Sequence, residues 1–358
     1  MKRNLLYLFT LLCSLGLFVA CSDDDDDPVI PTPEEPEVPV VDESWKDLSK
    51  TYKVAEHSIT LTGVALTSAE KEVVVAATSA TAASVSLKNV VPDAAEVSIS
   101  ATLAKSGETY SVNGNATVDD CKIVISGEID ASKKMTLAIT RTLSSAVTGN
   151  LALLVTEAEL YPEQAPGVMM PYVPVYWHAV TGDPATDAAL ETVGPMLGGL
   201  IAGKVSAVNA TLSPEGVFNV NWTKLGETEP TGMPEFVAQL TNIYYTAKDG
   251  VIYVALDKSI VAMVGILGGA LEQYGINVEQ ILALLTDMGG YYGLPIAYVE
   301  ADGIITFKLA KEQLLAVLEL AGPALVGSLP EEMQGFAQLL QALPMAQELE
   351  LGLPFIKQ

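Results

Sequence analysis

From about Thr51 to Val155 apolar and polar residues alternate in short runs, and this two-residue period narrows the choice of fold more than any other feature. Successive side chains of an extended strand point to opposite faces, so the alternation predicts half-buried strands rather than amphipathic helices. Ile59 and Leu61 share a face in the first run and Val97, Ile99 and Leu103 in a later one. Ile123, Ile125 and Ile129 follow, then Met135, Leu137 and Ile139. Turn residues punctuate the runs at Val91-Pro92-Asp93, Lys105-Ser106-Gly107, Asn113-Gly114-Asn115 and Asp130-Ala131-Ser132-Lys133. Roughly eight strands fit into these residues, with no helical stretch among them. The expected fold is a small antiparallel barrel or sandwich, whose hairpins close on themselves and leave few free edges.

Such a fold must stand on apolar packing alone. The chain begins with basic Met1-Lys2-Arg3-Asn4 and an apolar run from Leu5 to Ala20, the layout of a secretory signal peptide. The run is short of the roughly 20 apolar residues that a membrane-spanning helix needs. Its end, Phe18-Val19-Ala20-Cys21, resembles the lipobox of bacterial lipoproteins, with Phe18 where that family usually has Leu. The resemblance implies removal of residues 1–20 and acylation of Cys21. At about 0.8 kcal/mol per buried methylene, several acyl chains hold a protein on a membrane almost permanently. Cys13 leaves with the leader, so only Cys121 remains and no intrachain disulfide is expected. A chain of 358 residues that is 49% hydrophobic can still bury one or two sizeable cores.

Residues 22 to 44 hold ten carboxylates, five prolines and no Lys or Arg. Like charges repel and proline favours extended backbone, so residues 21–45 are expected to form a solvated tether. Ser22-Asp23-Asp24-Asp25-Asp26-Asp27 resembles the export signal of Bacteroidota lipoproteins. That resemblance implies an outer-membrane address exposed at the cell surface, read through Ser22, Asp23, Asp24, Asp25 and Asp26. From Trp45 onward 34 acids stand against 17 bases. Such a surface repels phosphate backbones and anionic headgroups, which argues against nucleic acid as a partner and leaves the lipid anchor as the link to a membrane.

Within the alternating region, Glu108-Thr109-Tyr110-Ser111-Val112-Asn113-Gly114 is followed by Cys121-Lys122-Ile123-Val124-Ile125-Ser126-Gly127 and Lys134-Met135-Thr136-Leu137-Ala138-Ile139. This order resembles the calycin-like (lipocalin-like) N-terminal domain of a Bacteroidota surface lipoprotein family of unknown function. The resemblance implies a barrel over residues 46–158, of a kind that often holds one apolar ligand. The interior expected from the residues is Val, Ile, Leu and Ala, with Tyr52 and Tyr110 as the only aromatics of the stretch, which favours a packed barrel over a hollow calyx.

A shift in composition between Glu159-Leu160-Tyr161-Pro162 and Pro174 marks the expected boundary, after which residues 159–358 form an α+β domain. Three hairpins recur there, at Ser213 to Val220, Ala247 to Val254 and Glu300 to Phe307, each with an acidic residue and Gly before a strand. Leu256-Asp257-Lys258 and Leu309-Ala310-Lys311 both lead into apolar helices, the pattern of a duplicated module or of shared hairpin chemistry. Asn277 with Gln280 and Ser328 with Glu331 have capping-box spacing, and Gly289-Gly290 is expected to end the helix that begins near Val278. Met333, Phe336, Ala337 and Leu340 line one face of a surface helix. The class expected for the whole chain is α+β: an N-terminal antiparallel β-barrel, then repeated β-hairpins and apolar helices.

Gly194 to Ala202 and Ile260 to Leu271 carry no charge and are expected to be hidden from water. Gly194 with Gly198, and Gly265 with Gly269, have the spacing that lets helices approach closely. These helices read as buried supports, as the wall of an apolar ligand groove lined by Ile260, Met263, Val264, Leu267 and Leu271 with Tyr176 and Trp177, or as partly membrane-inserted segments, for which the runs are short. The aromatic run Tyr172, Tyr176, Trp177 and His178 either packs a linker or caps a cavity.

Catalytic patterns are missing. His57 and His178 are isolated, no phosphate-cradling loop occurs, and Asp119-Asp120 reads as a turn. No enzyme activity, metal or cofactor is expected. The expected function is that of a non-catalytic surface lipoprotein that binds a hydrophobic small molecule through its C-terminal domain. The alternative is a structural or accessory subunit docked on an outer-membrane protein complex.

Overall fold

The alternation of the N-terminal half becomes nine strands in the computed structural model, which describes residues 42–358 except 93, 160–162, 164–165, 233–242, 267–281 and 328–338. They are β1 (Lys50–Lys53), β2 (Ser58–Leu61), β3 (Val64–Ala65), β4 (Glu72–Ser79), β5 (Ala82–Val91), β6 (Ala94–Ser106), β7 (Thr109–Val118), β8 (Cys121–Ile129) and β9 (Met135–Leu143). Strands β4 to β9 form an up-and-down meander. After six antiparallel strands the outermost two point in opposite directions, so a strand antiparallel to β4 must lie parallel to β9. One broken strand does both. Its first half, β1, pairs antiparallel with β4; after the 3-10 turn Val54–Glu56 its second half, β2, pairs parallel with β9 from Ser58↔Thr136 to Leu61↔Ile139. The result is a curled sheet whose two ends are held by one segment. Its parallel pair corrects the expectation of a wholly antiparallel arrangement.

The faces read from the alternation are the buried ones. Ile59, Leu61, Val97, Ile99, Leu103, Ile123, Ile125, Ile129, Met135, Leu137 and Ile139 are each at most 3% exposed and belong to one cluster with Tyr52 and Tyr110. One expected turn is corrected: Asn113-Gly114-Asn115 lies inside β7. Gly114 is needed there because a Cβ would stand 2.7 Å from the Ser100 carbonyl oxygen on β6.

The second half continues with β10 (Gly149–Leu153), the short pair β11 (Thr156–Ala158) and β12 (Met170–Tyr172), and β13 (Tyr176–Val180). Helices α1 (Pro184–Leu190) and α2 (Val193–Ala202) lead to β14 (Val205–Leu212), β15 (Val217–Lys224), β16 (Thr231–Gly232), β17 (Ile243–Lys248) and β18 (Val251–Asp257). Then come α3 (Lys258–Ile266), β19 (Thr286–Asp287), β20 (Tyr291–Ala301), β21 (Ile304–Ala310), α4 (Lys311–Gly327) and β22 (Glu348–Lys357). The sheet runs β10-β14-β15-β17-β18-β20-β21-β22, and β22 pairs back onto β10, which closes an eight-stranded ring. The protein is therefore mostly β, with its hydrogen-bonded barrel in the C-terminal half where an α+β domain was expected. β10 belongs to this ring although it precedes residue 158.

Turn chemistry accounts for the ring's two unlike ends. At one end tight hairpins join β14 to β15, β17 to β18 and β20 to β21. In the last two, Asp249-Gly250 and Asp302-Gly303 adopt positive φ at both positions (52° and 76°, 53° and 76°), as two-residue hairpins require. At the other end lie the long connections, with α1 and α2 before β14, α3 after β18 and α4 after β21. Both apolar helices start where the sequence placed them, at Lys258 and Lys311. Gly289-Gly290 does not end a helix, because the strand pair Thr286–Asp287 intervenes. A Cβ on Gly290 would overlap the Asn89 carbonyl of the N-terminal sheet, so these glycines serve a close approach. The capping boxes at Asn277 and Ser328 lie outside the described residues, as does the surface-helix face except Leu340.

Candidate functional site

The C-terminal ring has an apolar inner face graded in exposure along its axis. At the hairpin end Leu151, Leu212, Tyr245 and Ile305 are completely buried. Toward the helical end, four residues from Leu212 on β14 and two from Ile305 on β21, Val208 and Phe307 are half-buried, as are Trp222, Leu294, Leu353 and Val254, the last directly opposite Tyr245. Register ties this second level into a belt, with Val208 opposite Trp222, Val254 opposite Leu294, and Phe307 opposite Leu353. None of these residues carries a charge, although Lys357 stands opposite Leu151 and Glu300 opposite Ile305 at the rim of the hairpin end, both exposed. The hydroxyl at the closed end, on Tyr245, donates to the Ser213 carbonyl (2.9 Å) and contacts the Thr148 hydroxyl (3.1 Å). An eight-stranded barrel is just wide enough either to fill with side chains or to hold one small ligand. The closed end is the filled part.

A second apolar cluster gathers Leu190, Val193, Leu314, Leu343, Leu349 and Leu351 from α1, α2, α4, the 3-10 turn Leu343–Met345 and β22. The two glycines of α2 explain how the helix sits there. Gly194 receives the Trp177 side chain, whose indole N–H donates to the Leu190 carbonyl (2.9 Å), and Gly198 receives the Tyr172 ring and the Val173 carbonyl. Their small-residue spacing thus serves aromatic side chains and a backbone carbonyl. Replacing Gly198 with Ala is expected to lower unfolding stability by about 1–3 kcal/mol in urea titrations, the usual penalty of overpacking.

The residues expected to line a groove are dispersed. Ile260, Met263 and Val264 lie on α3, which follows β18, whereas Tyr176 and Trp177 lie on β13. In the sheet order β20, β21 and β22 stand between those strands. Tyr176 and Trp177 also diverge from one another, as neighbours on a strand must. Tyr176 stands over Gly352 with the Lys308 ammonium 4.4 Å from its ring, while Trp177 packs on α2. Leu267 and Leu271 lie outside the described residues, as do Cys21, Ser22, Asp23, Asp24, Asp25 and Asp26.

Two buried cations join the halves, and the sequence does not point to either. Lys71 is 1% exposed; its ammonium contacts Asp257 Oδ2 (3.1 Å), donates to the Asn89 carbonyl (3.0 Å) and lies 3.5 Å from the Tyr291 ring centroid. Burial lowers its pKa to about 8, against the opposing pull of Asp257. Arg141, also 1% exposed, donates to the Tyr245 carbonyl (3.2 Å) in space that Gly216 leaves open. Tyr244 and Tyr291 add hydroxyl bonds to the Leu61 (3.1 Å) and Val90 (2.9 Å) carbonyls. Accordingly Glu43–Gln358 is one compact unit. Lys71 stands in the run Glu70-Lys71-Glu72, which reads as a solvated charge cluster, so no local signal betrays its burial.

The other polar candidates are surface features. His178 contacts Glu348 (2.9 Å) with its side chain 43% exposed, and Asp119 turns the β7–β8 hairpin at φ 48° while pairing with Lys248 (3.0 Å). Among the described residues no group of His, Cys, Asp or Glu has the arrangement of a metal site. Comparison with protein-family models, curated proteins and solved structures gave no match.

Proposed function

We propose that this is a non-catalytic lipoprotein, anchored through Cys21 at the surface of the outer membrane, that receives a hydrophobic small molecule in the half-buried belt of its C-terminal barrel. The observation that carries the reading is the graded inner face: a filled apolar floor at Leu212 and Ile305 below a belt at Trp222, Val254 and Phe307 that water still reaches. Each Å² of apolar surface withdrawn from water there contributes about 25 cal/mol. In this reading the N-terminal sheet is a packed scaffold for the barrel, related to calycins by its resemblance in sequence. Attachment is assigned to Cys21 from the lipobox-like order Phe18-Val19-Ala20-Cys21; among the described residues no helix is long and apolar enough to cross a membrane.

Native mass spectrometry before and after organic extraction, with titration of a fluorescent fatty-acid probe, tests the ligand. A bound apolar mass and saturable probe uptake are expected, and Val254→Glu should weaken uptake at least about tenfold, because a carboxylate would have to be buried beside the ligand. A protein that carries no extractable molecule and takes up no probe would sink the reading. The anchor is tested separately by the mass of the amino-terminal peptide, where an unmodified Cys21 thiol counts against it.

The alternative of an accessory subunit is favoured by a different observation. The excursion between β10 and β13 displays Val155, Val168, Met169, Met170 and Tyr176, each 38–53% exposed, and clustered exposed apolar side chains mark contact surfaces. A photo-crosslinker at Met169 on intact cells should trap one protein reproducibly if this excursion docks, and only diffuse products if it does not.

A further inference from the structure

The broken strand that holds the N-terminal sheet together has a histidine at its break. His57 ends the 3-10 turn between β1 and β2, and its Nδ1 accepts the Met135 backbone N–H (3.3 Å) at the first residue of β9. The next residue pair, Ser58↔Thr136, begins the parallel pairing of β2 with β9. An imidazole nitrogen that accepts an N–H carries no proton, so this contact fixes the ring as the neutral Nε2–H form. The ring also packs edge-on against buried Tyr52, centroids 5.1 Å apart. A hollow of about 320 Å³ bounded by Val54, His57, Ile59 and Leu66 lies beside it, so water and protons reach the imidazole.

We propose that His57 is a pH-sensitive latch on the parallel seam: protonation of Nδ1 sets two donors face to face at Met135, removes the bond that begins the β2–β9 pairing, and lets the seam open. The seam is suited to this role because β2 is bound along one side to β9 and along the other only to the two-residue β3. The groups that face the ring are Lys50 on β1, Glu56 in the 3-10 turn, and Asp130 and Lys134 in the β8–β9 turn. Burial and the Lys50 charge oppose protonation more than Glu56 favours it, which holds His57 below its ordinary 6.5 while the seam is closed. An opened seam returns the ring to its ordinary value. The open form therefore takes up the proton more readily, and closure weakens as pH falls below about 6.5.

Hydrogen exchange of the backbone amides from Met135 to Ile139, corrected for intrinsic rates, reads the opening directly in the intact protein. Between pH 7.5 and pH 5 the wild type should open about fivefold or more, the worth of one lost hydrogen bond, while amides of the β6–β7 pairing stay protected. His57→Asn keeps a neutral acceptor near the Nδ1 position and should show no such pH dependence. His57→Ala should be open at both pH values. Equal protection of the wild type at both pH values would overturn the latch. So would the same pH response in His57→Asn, which would assign the effect to Asp130 or Glu56, and so would a parallel loss at β6–β7, which would mean loosening of the whole sheet.

Discussion

Lys71→Ala should lower stability by about 3–5 kcal/mol, because it leaves the largely buried Asp257 carboxylate without its counter-charge. Urea unfolding at pH 7 measures this directly. The double replacement Lys71→Met with Asp257→Leu removes both charges and should recover most of the loss, since an apolar pair of similar volume avoids desolvation altogether. If the double variant is as unstable as the single one, the ammonium is held for its bonds to Asn89 and Gly290 rather than for Asp257. The pH dependence has a definite sign. Folding lowers the Lys71 pKa from 10.5 to about 8, so between those values the unfolded chain holds more protons than the folded one. Stability should accordingly rise with pH across that window, by a few kcal/mol at most, and the double variant should lack the rise.

Phe355→Ala is expected to destabilise the protein by about 3–5 kcal/mol, the range for emptying a buried aromatic site. Phe355 is 7% exposed, stands in register between Ile305 and Leu153, and meets Phe307 edge-on with centroids 5.5 Å apart. It is thus the side chain on β22 that joins both neighbouring strands from inside the ring. Ile356→Ala, one residue on and 38% exposed on the outer face, should change stability by no more than about 0.5 kcal/mol. Equal losses in the two variants would contradict the assignment of inner and outer faces.

The N-terminal core was legible because a half-buried strand writes its face into every second residue, and Ile123, Ile125 and Ile129 or Met135, Leu137 and Ile139 obey that rule without exception. The Asp-Gly hairpins were legible because positive φ restricts the residue types that can form them. What stayed hidden depends on partners far along the chain. That Gly114 lies mid-strand follows from the nearness of Ser100, and nothing in Asn113-Gly114-Asn115 distinguishes this from a turn. The ring was missed because its strands are split by helical connections, so the long connections dominate the pattern while β22 finds β10 only in three dimensions. For the same reason the apolar helix from Ile260 drew attention, whereas the belt through Val208, Trp222, Val254 and Phe307 is spread over four separate strands and has no local signature.

The pairing of β22 with β10 joins residues roughly 200 positions apart, and β22 is also the rail on which β13 and β21 lie. Until β22 is in place, three strands wait with bare edges and an oily lumen in view, so a nonsense mutation shortly before Glu348 would release a sticky, unclosable product rather than a slightly shorter protein.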